Sequence, residues 1–192
     1  RDEAVAETGL YLESLKNYVN ADSEFLFRGM VGLHASMTLS DDTLSFAREL
    51  MDMYDVGAHV HVAEGVEDVR ATKKKYRMTP VQRFSKSGIL RKGSLAIHCV
   101  HVDDKDIALL KKTGASVVHN PMSNLNNAVG IAPILKMAKK GIPVAVGTDG
   151  MSAGVAADLR LASVLHKPSA DDAQAGWNEI ERAVCGTAPK II

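Results

Sequence analysis

Short apolar runs alternate with amphipathic stretches along the whole chain, and this alternation limits the folds that the chain can adopt. Five runs are rich in Val, Ile and Ala, and most lack polar alternation, as do parallel strands covered on both faces. The predicted strands are Phe25–Leu33, Val56–Ala63, Ser94–Val102, Ala115–His119 and Pro143–Gly147. They recur every 20 to 40 residues or so, at about the spacing of βα units.

Helix signals lie between the predicted strands. Ser40 is a candidate N-cap, followed by two aspartates that favour the first turn of a helix. Asp103 and Asp104 open a second helix over Ile107–Lys112, which Gly114 ends. Three further segments have helical patterns: Ala4–Val19, Leu135–Lys140 and Ala173–Val184.

Two α/β architectures fit this alternation. One is an open, doubly wound sheet, and the other is a (β/α)₈ barrel of the TIM type, which needs eight strands and typically about 250 residues. The chain has 192 residues and five predicted strands. It is therefore either an open five-stranded sheet or a partial barrel, and the placement of the chemically active residues has to decide.

Each predicted strand ends in residues that can carry chemistry. The five endings are Gly32-Leu33-His34, His59-Val60-His61-Val62-Ala63-Glu64, His98-Cys99-Val100-His101, His119-Asn120-Pro121 and Gly147-Thr148-Asp149-Gly150. Six of the seven histidines lie there, and we expect the seventh, His166, on a helix surface. An open sheet gathers side chains only at its switch point, so five populated ends favour the barrel. A single strand-end histidine, by contrast, is more often structural.

Imidazoles and carboxylates that converge on one axis suit one divalent metal ion, Zn²⁺ or Fe²⁺. His61, Glu64 and Asp149 provide nitrogen and oxygen ligands and a group that can move protons, and His98 can stabilise a developing oxyanion. His59 and His61 share a strand face. We favour His61 as the ligand because Glu64, three residues later, completes a His-x-x-Glu pair. Asp149 alone can equally be a turn former.

Four motifs occur in a specific order: His-Val-Ala-Glu, Ile-His-Cys-Val-His, His-Asn-Pro-Met-Ser-Asn and Gly-Thr-Asp-Gly. With them, the chain resembles the amidohydrolase superfamily, in its branch of cytosine, guanine and S-adenosylhomocysteine deaminases and chlorohydrolases. The segments 32–40 and 177–180 look most like SsnA-type aminohydrolases. The resemblance covers essentially the whole chain. It implies a single domain over residues 1–192 that corresponds to barrel strands four to eight, without the first strands and without the accessory β-sandwich.

The resemblance also implies roles for individual residues. His61 corresponds to the metal ligand of strand five, and Asp149 to the metal-facing carboxylate of strand eight. Glu64 corresponds to the proton shuttle to the substrate ring. His98 corresponds to a residue that polarises the water or the carbonyl group.

Two further residues are implied to contact substrate or shape its pocket. His34 matches a position that contacts substrate in nucleoside-type deaminases, and Asn124 shapes the pocket or holds its loop. Ala153 replaces a polar residue of some deaminases, which weakens any transfer of their substrate contacts to this chain.

The expected activity is hydrolytic deamination of an amino-substituted, purine- or pyrimidine-like heterocycle. The same apparatus could expel chloride or open a cyclic amide. A rival from another class is a catalytically inactive fragment. The chain begins at Arg1, and the His-x-His pair that the family has on its first barrel strand is absent from it.

Composition bears mainly on partners and location. Lys plus Arg and Asp plus Glu both number 23, which gives no electrostatic footprint for nucleic acid or an anionic membrane. Two cysteines do not make a disulfide framework and favour the cytoplasm. No apolar run approaches the roughly 20 residues of a membrane span. A partial barrel exposes parallel strand edges, and a homo-oligomer is one arrangement that could cover them.

Overall fold

The structure is a computed structural model that describes residues 2–19, 28–151 and 153–191. The strands of the described part are β1 (Val31–Ala35), β2 (Ala58–Val62), β3 (Leu95–His98), β4 (Ser116–His119) and β5 (Val144–Val146). The α-helices are α1 (Asp2–Val19), α2 (Asp41–Tyr54), α3 (Val66–Tyr76), α4 (Pro80–Lys86), α5 (Asp104–Thr113), α6 (Pro121–Asn126), α7 (Ile134–Lys139), α8 (Ala156–Leu165), α9 (Lys167–Ala170), α10 (Trp177–Glu181) and α11 (Ala188–Ile191). A 3₁₀ turn spans Ser36–Thr38, and a π-helix spans Arg182–Thr187.

The order of the strands distinguishes between the two predicted architectures. They lie across the sheet in sequence order, from β1 to β5, and every neighbouring pair is parallel. A doubly wound sheet contains a switch point at which this order reverses. The described strands form a single progression, as in the wall of a (β/α)₈ barrel. The prediction of an α/β partial barrel is confirmed.

The hydrophobic core lies between the sheet and its helices. Ala58, Val60 and Val62 alternate along β2 and are completely buried, whereas His59 and His61 occupy the opposite face. The largest side chains that fill the space under the helices include Phe84, Met51, Ile107 and Leu110, all at most 1% exposed. Burying one such side chain contributes about 1.5–3 kcal/mol. Along β2, one face therefore packs in the core, and the other face presents the two histidines.

The predicted helix ends are well reproduced for α2 and α5. The Ser40 hydroxyl accepts from the Thr43 amide and caps α2. Asp103 caps α5 by accepting from the amides of Lys105 and Asp106, and Gly114 ends that helix with a φ of 74°. These local signals were sufficient because each cap is formed by residues within one turn of the helix end.

Other predicted boundaries were wrong. Residues 28–30 are not in a strand, and residues 25–27 of the first predicted run lie outside the described residues. The strand begins at Val31, whose amide donates to the carbonyl of Gly57, and it continues to Ala35. The last predicted helix begins only at Trp177, because Gly176 has a left-handed backbone with a φ of 87°.

The position of His166 also differs from its prediction. It lies at the end of α8, is 3% exposed, and has its ring centroid 5.5 Å from that of buried His119. The expectation of a surface residue is therefore wrong. None of the helices in the described residues is long and apolar enough to cross a membrane.

Candidate active site

The carboxyl ends of the strands depart from extended backbone geometry. Left-handed φ angles occur at Ala63 (49°), His98 (68°), Cys99 (51°) and Asp149 (52°). Such conformations cost of order 1–3 kcal/mol each and cluster at functional sites. His98 pairs in register with core residue Val62, yet its ring stacks on that of His61, with the ring centroids 5.4 Å apart. The left-handed turn breaks the strand alternation and places the imidazole of His98 beside that of His61.

The tautomer of His61 follows from its backbone contact. Its Nδ1 lies 3.3 Å from the carbonyl oxygen of Leu33, and a carbonyl oxygen can only accept a hydrogen bond. In the neutral ring, Nδ1 therefore carries the hydrogen and Nε2 keeps its lone pair. Metal-binding histidines commonly have this arrangement, in which a backbone carbonyl fixes the second ring nitrogen.

The tautomer of His98 is fixed in the same way, by the side chain of Asn124. Its Nδ1 donates to Oδ1 of Asn124 across 2.8 Å, and both residues are at most 1% exposed. The buried Nε2 atom has no hydrogen-bond partner among the described residues. It lies 3.7 Å from Oε2 of Glu64 and 3.8 Å from Oδ2 of Asp149. Asn124 thus lies behind His98 and directs the Nε2 lone pair of the neutral ring towards two carboxyl groups.

These three groups fit a cation. Ligand atoms of Glu64, His98 and Asp149 all lie within 4.8 Å of one another. With Nδ1 of neutral His98 committed to Asn124, all three facing atoms are acceptors. Such a cluster needs a bound cation or added protons, and nitrogen with carboxylate oxygen is a donor set that Zn²⁺ and Fe²⁺ accept. His61, stacked on His98, adds a fourth group with a free Nε2 lone pair.

The carboxyl group of Asp149 is held on both oxygens. Oδ2 accepts from the hydroxyl of Ser123 at 2.5 Å, and Oδ1 accepts from the amide of Gly150 at 2.7 Å. The Ser123 hydrogen bond, followed by the Gly150 amide and the nearby His98 and His61 rings, lowers the pKa of Asp149 below its usual value. Asp149 is therefore ionised at neutral pH, and the partial exposure of its side chain to water favours the same state.

His34 lies on the other side of His61, with the two ring centroids 5.2 Å apart. The hydroxyl of Thr38 donates its single hydrogen to the carbonyl of Ala35, so it can only accept from Nδ1 of His34, which is 2.9 Å away. Neutral His34 consequently keeps its Nε2 as an acceptor, suited to an N–H or O–H group of a ligand.

His59 precedes His61 on the same strand face, with their rings edge-on and their centroids 6.3 Å apart. Desolvation, together with the nearby His61, lowers the pKa of His59, which keeps its ring neutral at pH 7. The atoms that meet in the candidate ligand group are those of Glu64, His98 and Asp149. Neither His59 nor His61 belongs to that group, but His61 stacks directly on His98.

Two residues that support the site were not assigned from the sequence. Ser123 adjoins Asn124 in the quoted His-Asn-Pro-Met-Ser-Asn motif, which was the available signal for its bond to Asp149. Asp158 is completely buried, and its Oδ1 accepts from the amide of Met122, which ties α8 to the start of α6. An aspartate in the first turn of a helix is too common to reveal that contact.

A cavity of about 740 Å³ lies at the opposite end of the strands. Its lining includes the first residues of three strands, Leu95, Ser116 and Val144, together with Glu179 and Arg182 from the last helices. In barrel enzymes the chemistry takes place at the carboxyl ends of the strands, and conservation at the amino ends reflects stability. The histidine and carboxylate group therefore locates the site better than the size of this cavity.

A singly wound parallel α/β sheet, with imidazoles and carboxylates gathered at its carboxyl ends, is an arrangement found in α/β-barrel metalloenzymes. Comparison with known proteins identifies the family within that class. The model of the amidohydrolase family matches residues 6–190. The chain belongs to the amidohydrolase family.

Relatives from two organisms are similar to this chain. It is 39% identical over 165 residues to a 5-methylthioadenosine/S-adenosylhomocysteine deaminase from Caldanaerobacter subterraneus, covering 84% of this chain and 38% of the relative. It is 36% identical over 156 residues to a 5'-deoxyadenosine deaminase from Methanopyrus kandleri, covering 79% of this chain and 36% of the relative. The chain thus spans less than half of these relatives.

Solved structures agree with the fold. An adenosine deaminase from Xanthomonas campestris with bound zinc superposes with a TM-score of 0.78 at 27% identity, over 91% of this chain and 40% of that one. A guanine deaminase from C. acetobutylicum has a TM-score of 0.80 at 18% identity, over 96% of this chain and 47% of that one. At that identity the second match supports the fold alone.

Proposed function

We propose that this protein is a metal-dependent hydrolase that deaminates an amino-substituted nitrogen heterocycle, with adenosine-type purines as the favoured substrates. The observation that carries the proposal is the convergence of Glu64, His98 and Asp149, whose ligand atoms lie within 4.8 Å of one another. The deaminase names of relatives up to 39% identical support the reaction and the purine.

One divalent metal ion would be held by Nε2 of His61 and the carboxylate of Asp149, with His98 and Glu64 facing it. Zinc is favoured over iron because a similar adenosine deaminase structure contains zinc. When bound, such an ion lowers the pKa of water towards 7 or so and so supplies hydroxide at neutral pH. The hydrogen bond from His61 to the Leu33 carbonyl keeps the free lone pair of the ring on Nε2.

The residues of this chain account for the proton movements of the reaction. Asp149, held ionised by Ser123, accepts a proton from the attacking water, while Glu64 protonates the ring nitrogen of the substrate. The water oxygen bonds to the ring carbon that carries the amino group. Asp149 then passes its proton to that amino group, the carbon–nitrogen bond breaks, and ammonia leaves. Glu64 regains a proton from the new hydroxyl group as the carbonyl forms.

His98 and His34 orient the reactants. The Nδ1 hydrogen of His98 is committed to Asn124, so Nε2 of the neutral ring accepts a hydrogen bond from the attacking water. His34, with Nδ1 committed to Thr38, offers Nε2 to a donor group on the substrate. Asn124 shapes the site from behind His98.

The remaining attributes are proposals of the same kind. Cys99 and Cys185 are both free among the described residues, which fits a reducing cytoplasm. A small heterocycle is the proposed partner, and nucleic acid is not expected at a formal net charge of zero. Self-association into a homo-oligomer is testable by sedimentation of the purified protein.

The test is release of ammonia by the purified, zinc-loaded full-length protein. The panel contains 5'-methylthioadenosine, S-adenosylhomocysteine, 5'-deoxyadenosine, guanine and a chlorotriazine. We expect ammonia from the adenosine-type compounds, and its loss in the Glu64→Gln protein. Release of chloride from the triazine without ammonia from any purine would assign the site to the chlorohydrolase alternative. Inactivity on all five would contradict the proposal.

A further inference from the structure

Asp68 on α3 is a buried carboxylate outside the group of proposed catalytic residues. It is 2% exposed, and its hydrogen bonds come from groups of the chain itself. Oδ1 accepts from the amide of Met37 at 2.9 Å and from the hydroxyl of Thr72 at 3.4 Å, and Oδ2 accepts from the amide of Ala63 at 3.1 Å. One carboxyl group thus bonds to two backbone amides that are 26 residues apart in the sequence.

Both amides belong to segments that carry proposed site residues. Met37 lies in the 3₁₀ turn after β1, beside Thr38, whose hydroxyl fixes His34. Ala63 directly precedes Glu64 and has a left-handed φ of 49°. A non-glycine residue in that conformation is strained and persists only where its surroundings hold it. The Asp68 hydrogen bond supplies such a restraint at the position that turns the chain towards Glu64.

A second contact holds the same turn from α4. Arg83 is 3% exposed and donates to the carbonyl oxygens of Ser36 and Leu39, at 2.6 Å and 2.9 Å. Arg83 therefore fixes the loop after β1 against the helices, whereas Asp68 joins that loop to the loop after β2. Burial raises the pKa of the Asp68 carboxyl group, and the amides of Met37 and Ala63 act in the opposite direction.

We propose that Asp68 is a positioning residue that sets the separation between two strand-end loops: the loop after β1, whose Thr38 bonds to His34, and the loop after β2, which carries Glu64. Its effect on turnover rests on the proposed function, because it acts through a substrate contact and a proton shuttle. Its effect on the two loops does not. An aspartate is required because both amides donate, and a carboxylate offers two oxygens to accept them. Asparagine of the same size offers one oxygen and an NH₂ group that faces the second N–H.

The test compares Asp68→Asn with a matched control, Asp106→Asn. Asp106 on α5 is also 2% exposed, also has its pKa raised by burial, and accepts from Thr79 and from the amide of Asp103, away from the two loops. Amide hydrogen exchange is measured in the full-length protein for both variants. We expect at least about tenfold faster exchange at Met37, Ala63 or both in Asp68→Asn only, since the substitution removes a buried hydrogen bond to a charged acceptor.

Kinetics supply the second readout. Displacing a proton shuttle lowers kcat, and we expect a fall of about 10- to 10²-fold in Asp68→Asn that exceeds the change in KM. The proposal is overturned by unchanged exchange at both amides, by unchanged kcat despite faster exchange, or by an equal loss of kcat in Asp106→Asn. If the wild-type protein deaminates nothing, the proposed function fails, while the exchange data still decide whether Asp68 joins the loops.

Discussion

The hydrogen bond between His98 and Asn124 determines which nitrogen of the imidazole carries the hydrogen. The bond is 2.8 Å long and buried, and the opposite nitrogen lies 3.7 Å and 3.8 Å from two carboxyl oxygens. Those oxygens attract a hydrogen on Nε2, whereas Oδ1 of Asn124 holds it on Nδ1. Substituting leucine for Asn124 keeps approximately the same shape and removes the acceptor. The hydrogen of His98 should then move to Nε2.

The size of the effect follows from burial. A buried donor left without its acceptor costs about 1–3 kcal/mol, or roughly 5- to 150-fold in an equilibrium constant. We therefore expect Asn124→Leu to reverse the tautomer of His98 and to lower kcat by about 10- to 10²-fold, because Nε2 can no longer accept from the attacking water.

Nitrogen NMR of the labelled imidazole identifies the protonated nitrogen directly, and steady-state kinetics give kcat. Asn126→Leu is the matched control, since Asn126 is exposed on the same helix and bonds to Asn127. In this control variant, the tautomer of His98 and the turnover should equal those of the wild type. The reasoning is refuted if His98 in Asn124→Leu keeps its hydrogen on Nδ1 and turnover is unchanged.

Three further predictions concern other parts of the structure. Glu64→Gln should lower turnover by at least about 10²-fold with metal content unchanged, and near-normal turnover would require a different acid. Elemental analysis should find metal lost in His61→Ala and retained in His59→Ala. The reverse result would make His59, and not His61, the metal ligand. His119 has its pKa lowered to about 3 by burial, so the unfolded state binds more protons below pH 6.5 or so. Stability, measured by denaturant unfolding, should therefore fall as the pH is lowered from about 6.5 to 4.5, by at most about 1.4 kcal/mol per pH unit from this residue. If the change of the free energy of unfolding with pH is the same in His119→Gln, another group is responsible for it.

The alternation of five strands with helices was predictable because it depends on local sequence, but the helices α3, α4 and α8 were not predicted. Ser40, Asp103 and Gly114 lie at helix ends as expected, since a cap needs contacts only within its own turn. Four of the five predicted strand ends lie within two residues of the observed ends. The third strand ends at His98 and not at Val102, because His98 and Cys99 have left-handed backbones. The start of the first strand was not, because Val31 begins it by pairing with the residue preceding β2.

The gathering of His61, His98 and Asp149 follows from the parallel topology, which brings carboxyl ends of strands together. The residues that orient them could not be found in this way. Asp68 resembles any acidic residue in the first turn of a helix, and its partner amides are 5 and 31 residues away. The burial of His166 likewise depends on His119, 47 positions earlier, and no local pattern encodes that contact.

The central claim is that the strand-end group hydrolyses a carbon–nitrogen bond. It is tested most directly by running the reaction of the zinc-loaded full-length protein in heavy-oxygen water with an adenosine-type substrate. We predict one ammonia per product and one solvent oxygen on the ring carbon that carried the amino group, with both lost in Glu64→Gln. Unchanged substrate, or ammonia formed equally by wild type and Glu64→Gln, would contradict the assignment of this site.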